Sequence, residues 1–524
     1  MKHKWIIFYI SLVCLSSESN GYRILAVFPA NVKSHNIVFE ALIKGLLKHE
    51  HHVDHITHYP TKTTSIHYRN LINLDGLVEK NENNITMEFV SRIGDRDVDI
   101  IATSYGNRLC HFMGLPEFQE LIKGPARNEP YDLVITEAFG AHCFMGLGYV
   151  YNVPVVAVAS GIEYPWISYF IGNSDNLAFV PNAYHVGVGS MTFWERLKNF
   201  YTNFIFLYRF HALTGDDQTE SMRKYLRSDI PHIREVEKNV ALTLVNNNPI
   251  LFGVKPVTPG LIHIAGLHVN ASGETLATEL KNWMDSSIHG VVYFSFGSMV
   301  LIETLPHELL SDFYRAFKNL SPMRVLIKIA NSTKLPAGLP ENVKTLPWIT
   351  QQPVLAHPNT RVFITHGGLG GLLEALYYGT PMVGVPLFSD QFRNVESFVR
   401  KGMMIRIDYD NLSGTTLESA LRTLLDDPSY REKTHYYSRL FRDQPLSPMQ
   451  NAIFWIEYVA RNGGGVLKSP ALALAWWQLA QLDIYACLMI ILILGLGALI
   501  SSVSILIKVV NNVEWRRRNK IKMS

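Results

Sequence analysis

Short apolar runs recur along the chain, each closed by glycine, proline or a small polar residue. Arg23–Phe28 (RILAVF) reads as a buried strand; a loop with Pro29 follows, then a helical pattern from about His35 to Lys48 and a second strand near Val53–Thr57. Ile100–Ser104, Leu133–Thr136 and Val155–Ala159 read as further strands, with helical stretches between them. Strands that are apolar throughout, rather than alternating, are covered on both faces, which predicts a parallel, doubly wound α/β sheet. Asn246–His268 breaks the rhythm with Asn246-Asn247-Asn248-Pro249, Pro256 and Pro259-Gly260, a linker composition. A second series then begins: Val291–Phe296, Arg324–Ala330, Val343–Leu346, Arg361–Thr365 and Met382–Leu387. The expected organisation is an N-terminal Rossmann-like domain over 21–248, a linker over 249–268 and a second Rossmann-like domain over 269–480.

The ends of the chain carry a different pattern. Residues 1–20 combine Lys2 and Lys4 with an apolar run from Trp5 to Leu15, as a secretory signal peptide does. Residues 484–507 hold no charge, and at ~1.5 Å per residue they are long enough to cross ~30 Å of hydrocarbon. Lys508, Arg516, Arg517, Arg518, Lys520 and Lys522 follow, so the positive-inside rule predicts a cytoplasmic tail over 508–524 and a lumenal body. The closing Lys520-Ile521-Lys522-Met523-Ser524 resembles a Lys-x-Lys-x-x signal for return to the endoplasmic reticulum, so the expected location is that membrane, type I. Sequons at Asn84, Asn270, Asn319, Asn331 and Asn411 suit a lumenal body.

Composition adds little beyond this. The chain has 524 residues, 48% hydrophobic, enough for two full cores. A net charge of +3 without a basic stripe on the folded part argues against nucleic acid. Four cysteines exclude a disulfide scaffold; with Cys14 and Cys487 in membrane-type segments, Cys110 and Cys143 either pair or stay as free buried thiols.

The densest chemistry lies between Trp348 and Gln391: a strand, the turn His366-Gly367-Gly368, a helix over about Leu369–Tyr378 and another strand. A helix N-terminus at such a turn offers unpaired N–H groups and a positive dipole end to a phosphate. The segment resembles the signature of the UDP-glycosyltransferase family of membrane-bound animal type. It has Trp348 and Gln351, Phe-Ile-Thr-His-Gly-Gly at 363–368, Glu374, Pro381, Pro386 and the closing Asp390-Gln391. That resemblance implies the GT-B fold, two tandem Rossmann-like domains followed by one transmembrane helix. It implies Trp348 and Gln351 on uracil, His366, Gly367 and Gly368 on the pyrophosphate, Glu374 on the ribose, and Asp390 and Gln391 on the sugar. Ser298 joins the donor set. Many members carry an Asn or Ser side chain in this turn; Gly370 and Gly371 stand here, so that contact falls to backbone amides.

Transfer to a hydroxyl also needs a base. His35 follows the first strand at a helix start, where an open α/β sheet places its ligands. The resemblance makes it the base, oriented by Glu137, where many members have Asp. Two other clusters suggest a metal and do not suit one. His49, His51, His52, His55 and His58 cross a helix end and a strand, so their side chains diverge. Asp95, Asp97 and Asp99 contain the Asp-x-Asp pattern of metal-dependent transferases, but a phosphate site at a helix N-terminus removes the need for a metal. No metal and no cofactor beyond the UDP-sugar co-substrate is expected. The aromatic stretch Phe193–Phe210 could rest on a membrane, wall the acceptor pocket or pack in the core.

The function so implied is inverting transfer of a sugar from UDP-sugar to a hydroxyl of a small lipophilic acceptor, as in conjugation or detoxification; glucose is expected rather than glucuronic acid because no Arg or Lys other than Arg393 lies beside Asp390-Gln391. The alternatives are glucuronosyl transfer, a catalytically inactive GT-B small-molecule binding protein, and a transferase that acts on protein or lipid. Homo-oligomerisation is left open.

Overall fold

Val, Ile and Leu along the strands drive two parallel sheets whose central strands are covered on both faces. The computed structural model describes residues 21–93, 96–123, 130–184, 190–269 and 273–522. The expected signal peptide, Cys14, Asp95 and the Asn270 sequon lie outside these residues.

In the first sheet the strands are β1 (Arg23–Phe28), β2 (His52–Thr57), β3 (Tyr68–Asn73), β4 (Leu133–Glu137), β5 (Val155–Ala159), β6 (Val240–Val245) and β7 (Leu261–His263). Their order is β3-β2-β1-β4-β5-β6-β7. In the second sheet they are β8 (Val291–Ser295), β9 (Arg324–Lys328), β10 (Val343–Leu346), β11 (Thr360–Thr365), β12 (Met382–Gly384) and β13 (Met404–Arg406), ordered β10-β9-β8-β11-β12-β13. The strand order reverses between β1 and β4 in one sheet and between β8 and β11 in the other. Those are the two places where an open α/β sheet opens a crevice beyond its carboxyl ends. Parallel pairing sets Val27 opposite Thr136 and Ile364 opposite Phe294, so the loops leaving each central pair emerge side by side.

Three expectations need correction. Ile100–Ser104 is not a strand: Asp97–Ala102 is helical and runs into a wide turn over Thr103–Asn107. Val98, Ile101 and Ala102 recur at helical spacing and are buried, with the helix packed against Phe193–Tyr225; a short apolar run does not by itself reveal its period. The edge position belongs instead to Tyr68–Asn73, whose polar sequence hides a strand with only Ile72 fully buried. The linker over 249–268 is partly structural, since it holds the Pro249–Phe252 helix and supplies β7 to the first sheet. The second domain does not run unbroken to 480 either. The helix Pro448–Asn462 returns to the first domain, where Ala452, Ile453, Ile456 and Val459 pack with Ile24, Leu42 and Leu46.

Cys110 and Cys143 are joined by a disulfide, with their Cα atoms 6.0 Å apart. The aromatic stretch opens the 33-residue helix Phe193–Tyr225. Its Phe193, Trp194, Phe200, Tyr201, Phe204 and Tyr208 are more than half exposed, and only Phe210 turns fully inward, stacking on Trp166 at 4.1 Å. The stretch lines no part of the cleft described below, which removes the pocket-wall reading.

Residues 470–524 form a separate unit. Its helix Leu482–Lys522 is continuous through the uncharged run and on into the basic tail, and it is long and apolar enough to be a candidate membrane span.

The returning helix generates a stability test. Ile456 is fully buried in the first domain's core. Ile456→Ala should cost about 2–5 kcal/mol and lower the thermal unfolding midpoint of the body. A loss below about 0.5 kcal/mol, the scale of a surface change, would show that this helix is dispensable to the fold.

Candidate functional site

A cleft of about 900 Å³ separates the two sheets and is lined from both domains. On the second domain's side the turn after β11 holds its most constrained point. Gly367 has φ +87°, and a Cβ there would meet Val395 Cγ2 at 2.5 Å. A Cβ on Gly297 or on Gly368 would meet the His366 ring at 2.7 Å. The imidazole is therefore sandwiched between two glycine backbones, one from the loop after β8 and one at the N-cap of the Leu369–Tyr378 helix. Burial, and then the charge of Lys328, pull the His366 pKa down to about 4, so the ring is neutral and carries one N–H to donate. Among the described residues its Nδ1 has no hydrogen-bond partner, and neither has the buried Ser298 Oγ. Gly370 leaves room around it, whereas a Cβ on Gly371 would press on Gln351 Nε2 at 3.1 Å.

Glu374 follows on the same helix, where burial sets its carboxylate against a cluster of amides. It accepts from Gln351 Nε2 at 2.6 Å and from Gln352 Nε2 at 3.3 Å, and His268 Nε2 lies 3.4 Å away. Gln351 is committed at both ends, since its Oε1 accepts from Tyr293 Oη at 3.1 Å. Nε2 keeps a second hydrogen and Oε1 a second lone pair, so neither bond has to break for a further contact. Trp348 keeps a ring face in the cleft and is 43% exposed.

Asp390 and Gln391 start the Gln391–Arg400 helix. Gln391 Oε1 accepts from the Leu387 and Phe388 amides at 2.9 and 3.1 Å, which leaves its Nε2 as a donor. Asp390 accepts from Asn394 Nδ2 at 2.8 Å. Burial raises its pKa, while the Asn394 bond and the Arg393 charge act the other way. Ser389 just before it sits at φ +58°, a left-handed conformation unusual for a residue with a Cβ and one that aims this corner of the cleft.

Across the cleft, His35 lies on the first turn of the Lys33–Lys48 helix and Glu137 is the last residue of β4. Because β1 and β4 are neighbours, their ends bring the two together: His35 Nδ1 is 2.6 Å from Glu137 Oε1. Glu137 is buried and His35 half-open, with the Phe139 ring edge-on to the imidazole at 4.8 Å. Nδ1 is engaged, so Nε2 is the nitrogen left for the cleft. Around it Tyr105, Phe139, Ile101, Ile162 and Tyr164 make an apolar, aromatic wall.

Of the candidate site residues, all but Glu137 and Gly367 line this one cleft, and those two are chain neighbours of the lining residues Ala138, His366 and Gly368. Two cleft residues were not anticipated. Lys328 ends β9 with its side chain buried, its Nζ 5.4 Å from the centre of the Trp348 ring; burial pulls its pKa down to about 8, against the pull of Glu303 and Glu82. A lysine closing an apolar strand was a readable signal. His268 comes from the stretch read as linker, and its neighbours are visible only in the fold. Asp97 lines the cleft, while Asp99 is 2.6 Å from Arg209; no group of three or more His, Cys, Asp or Glu side chains suited to a metal occurs among the described residues.

Two Rossmann-like domains that face each other across a cleft, with a phosphate-ready helix N-terminus on one side, define a glycosyltransferase of the GT-B fold. Solved structures agree on the fold. The glycosyltransferase VinC in complex with dTDP aligns with a TM-score of 0.58 over 84% of this chain and all of that one, at 16% identity. The spinosyn forosaminyltransferase SpnP aligns at 0.54 over the same shares.

The chain belongs to the UDP-glucoronosyl and UDP-glucosyl transferase family, whose model matches residues 77–516. It is similar to UDP-glucosyltransferase 2 of Dactylopius coccus, 34% identical over 486 residues and 91% of each chain. It is also similar to UDP-glucuronosyltransferase 2B10 of Homo sapiens, 33% identical over 365 residues, 68% of this chain and 67% of the relative.

The turn at Gly367 is the point to test. Gly367→Ala forces a left-handed conformation, costing roughly 1–2 kcal/mol, on a residue whose Cβ also has no space. UDP affinity, read by calorimetry, should fall at least ~10-fold, the change that ~1.4 kcal/mol of displaced contacts produces. Unchanged affinity would exclude this turn from the donor site.

Proposed function

We propose that this UDP-glycosyltransferase moves glucose from UDP-glucose to a hydroxyl of a small lipophilic acceptor, with inversion at the anomeric carbon. The observation that carries the reading is the His35–Glu137 pair, 2.6 Å apart, facing the helix N-terminus across one cleft. His35 Nε2 takes the proton from the acceptor hydroxyl as its oxygen attacks the anomeric carbon. The new C–O bond forms on the face opposite the departing UDP oxygen, whose bond to that carbon breaks with its electron pair. Glu137 holds Nδ1–H and stabilises the imidazolium. The amides at the start of the Leu369–Tyr378 helix, the His366 N–H and the Lys328 ammonium meet the charge that builds on UDP. With these donors in place the reaction needs no divalent metal. Ser298 and Glu374 complete the nucleotide side, and Asp390 and Gln391 hold the sugar hydroxyls.

Glucose fits better than glucuronic acid because Arg393, the cation next to Asp390-Gln391, is withdrawn. It is buried under Phe252, with its guanidinium carbon 4.9 Å from the ring centre, and is not part of the cleft lining. A sugar carboxylate would instead face the Asp390 carboxyl, which lines the cleft. The aromatic wall around His35 suits a lipophilic acceptor in conjugation or detoxification.

The test is one assay of full-length protein, with a chelator present throughout, offering UDP-glucose and UDP-glucuronate against a panel of phenols and steroids. Turnover with UDP-glucose should dominate, and His35→Ala should lower it at least ~100-fold with UDP binding unchanged. Preference for UDP-glucuronate would move the assignment to the glucuronosyl reading suggested by the human relative. Near-normal turnover in the variant would remove His35 as base. No turnover by the unmutated protein with any donor, while UDP still binds, would favour the inactive binding protein if added manganese or magnesium restores nothing, and would overturn the metal-free reading if it does.

We further propose a type I arrangement in the endoplasmic reticulum, supported by the helix Leu482–Lys522 with its basic end. Protease added to intact microsomes should remove only a short C-terminal piece. Digestion of the body under those conditions would reverse the orientation.

A further inference from the structure

A stretch of the first domain is built into the second. Between β3 and the helix Met87–Ile93, the Asn83 amide donates to Ser298 O at 2.8 Å, and those of Asn84 and Ile85 donate to Met299 O at 3.1 and 3.0 Å. Leu301 N returns a bond to Ile85 O at 2.9 Å, and Met87 N donates to Thr304 Oγ1 at 3.0 Å. The side chains of Ile85 and Met87 are buried in the second domain's core beside Phe296 and Val300. The donor-side loop, which carries Ser298, is therefore hydrogen-bonded along its backbone to the other domain.

The opposite end of the same stretch grips the loop that leads to His35. Asn31 Nδ2 donates to Glu79 O, Asn81 N donates to Asn31 O at 2.8 Å, and Val32 pairs with Asn81 as an isolated bridge. Asn81 Nδ2 also donates to Tyr105 Oη at 2.6 Å, on the acceptor wall. Fewer than ten residues thus join the base loop of one domain to the donor loop of the other, with hydrogen bonds at both ends.

Between these ends sits Asn83, in a left-handed conformation at φ +52°. Its Oδ1 accepts from Lys328 Nζ at 2.6 Å, and that ammonium also donates to Gly297 O at 2.8 Å, beside His366. Lys328 therefore belongs to two sets of contacts. It faces the space proposed for the diphosphate, and it is tied to the first domain through a single side chain.

We propose that residues 79–87 form a coupling strap, with Asn83 as a positioning residue, through which an occupied donor site orders the His35 loop. The inference rests on the donor reading above. A diphosphate beside Lys328 and Ser298 stiffens the 297–304 loop; the strap passes that order to Asn31 and Val32, and so to the start of the helix carrying His35. The base is then held in place only when a donor is present to react. Coupling of this kind is a free energy shared between two sites, carried by a physical element that both sites bias.

Amide hydrogen exchange on full-length protein in detergent, with and without saturating UDP, reads both ends at once. In the unmutated protein UDP should slow exchange at least ~5-fold, the lower end of typical couplings, in residues 297–304 and also in 30–35 of the other domain. Asn83→Gly removes the Oδ1 acceptor while keeping a residue that adopts positive φ freely, and it leaves the sequon at Asn84-Ile85-Thr86 intact. In this variant protection should persist at 297–304 and fall below ~2-fold at 30–35, where coupling is effectively gone. Asn83→Asp keeps an acceptor and the same backbone tolerance, and should retain protection at both ends. Protection of 30–35 that survives Asn83→Gly, or that is missing from the unmutated protein while 297–304 is protected, overturns the strap. Absence of UDP protection anywhere in the unmutated protein would instead overturn the donor reading itself.

Discussion

The donor side rests on how closely backbone approaches the His366 ring. Gly297 and Gly368 flank the imidazole so tightly that a single added carbon on either would collide with it. That contact locks the loop after β8 against the turn after β11, at the point where the second sheet reverses its strand order. The helix N-terminus, the Ser298 loop and the end of β9 all take their positions from it. A larger residue at 297 or 368 would push the ring away and open the edge at which the helix N-terminus meets the cleft.

Desolvation is the second constraint. The cleft holds a neutral His366, a lysine brought to about 8 and an aspartate whose carboxyl is raised, all mainly because they are withdrawn from water. A neutral ring beside Lys328 donates a hydrogen bond without adding a second positive charge to a buried corner. The same low dielectric strengthens each of these groups toward a diphosphate, since an interaction weak in water grows when water is excluded. On the other wall the buried Glu137 engages His35 Nδ1, which fixes the ring's tautomer and direction.

The two domains are more interlocked than their order along the chain implies. β7 comes from the stretch between them, the Pro448–Asn462 helix crosses back to the first core, and residues 83–87 lie in the second. Each crossing buries apolar side chains, so the cleft is a seam in a shared structure rather than a gap between independent halves. A site divided across such a seam can respond at one wall to what binds at the other.

Much of this was legible along the chain. Apolar runs marked most of the strands, and the His366-Gly367-Gly368 turn with its following helix stood where periodicity placed it. Local rules suffice there, because a buried parallel strand and a glycine turn announce themselves through neighbouring residues. They failed at Ile100–Ser104, where a short apolar run had no period of its own, and at Tyr68–Asn73, whose polar side chains suit an edge. Which partners meet was decided by tertiary structure. Cys110 and Cys143 could pair or stay free until the helices brought them together. Glu374 could be matched to Gln352 and His268 only once two helices and the linker packed together, and Lys328 to Asn83 only once the two domains met. Sequence thus determined the elements and the kinds of chemistry they carry, because those depend on near neighbours. Tertiary structure alone decided which of them meet, because those contacts join residues from separate elements, from 22 positions apart for Gln352 and Glu374 to 245 for Asn83 and Lys328, through the packing of the two sheets.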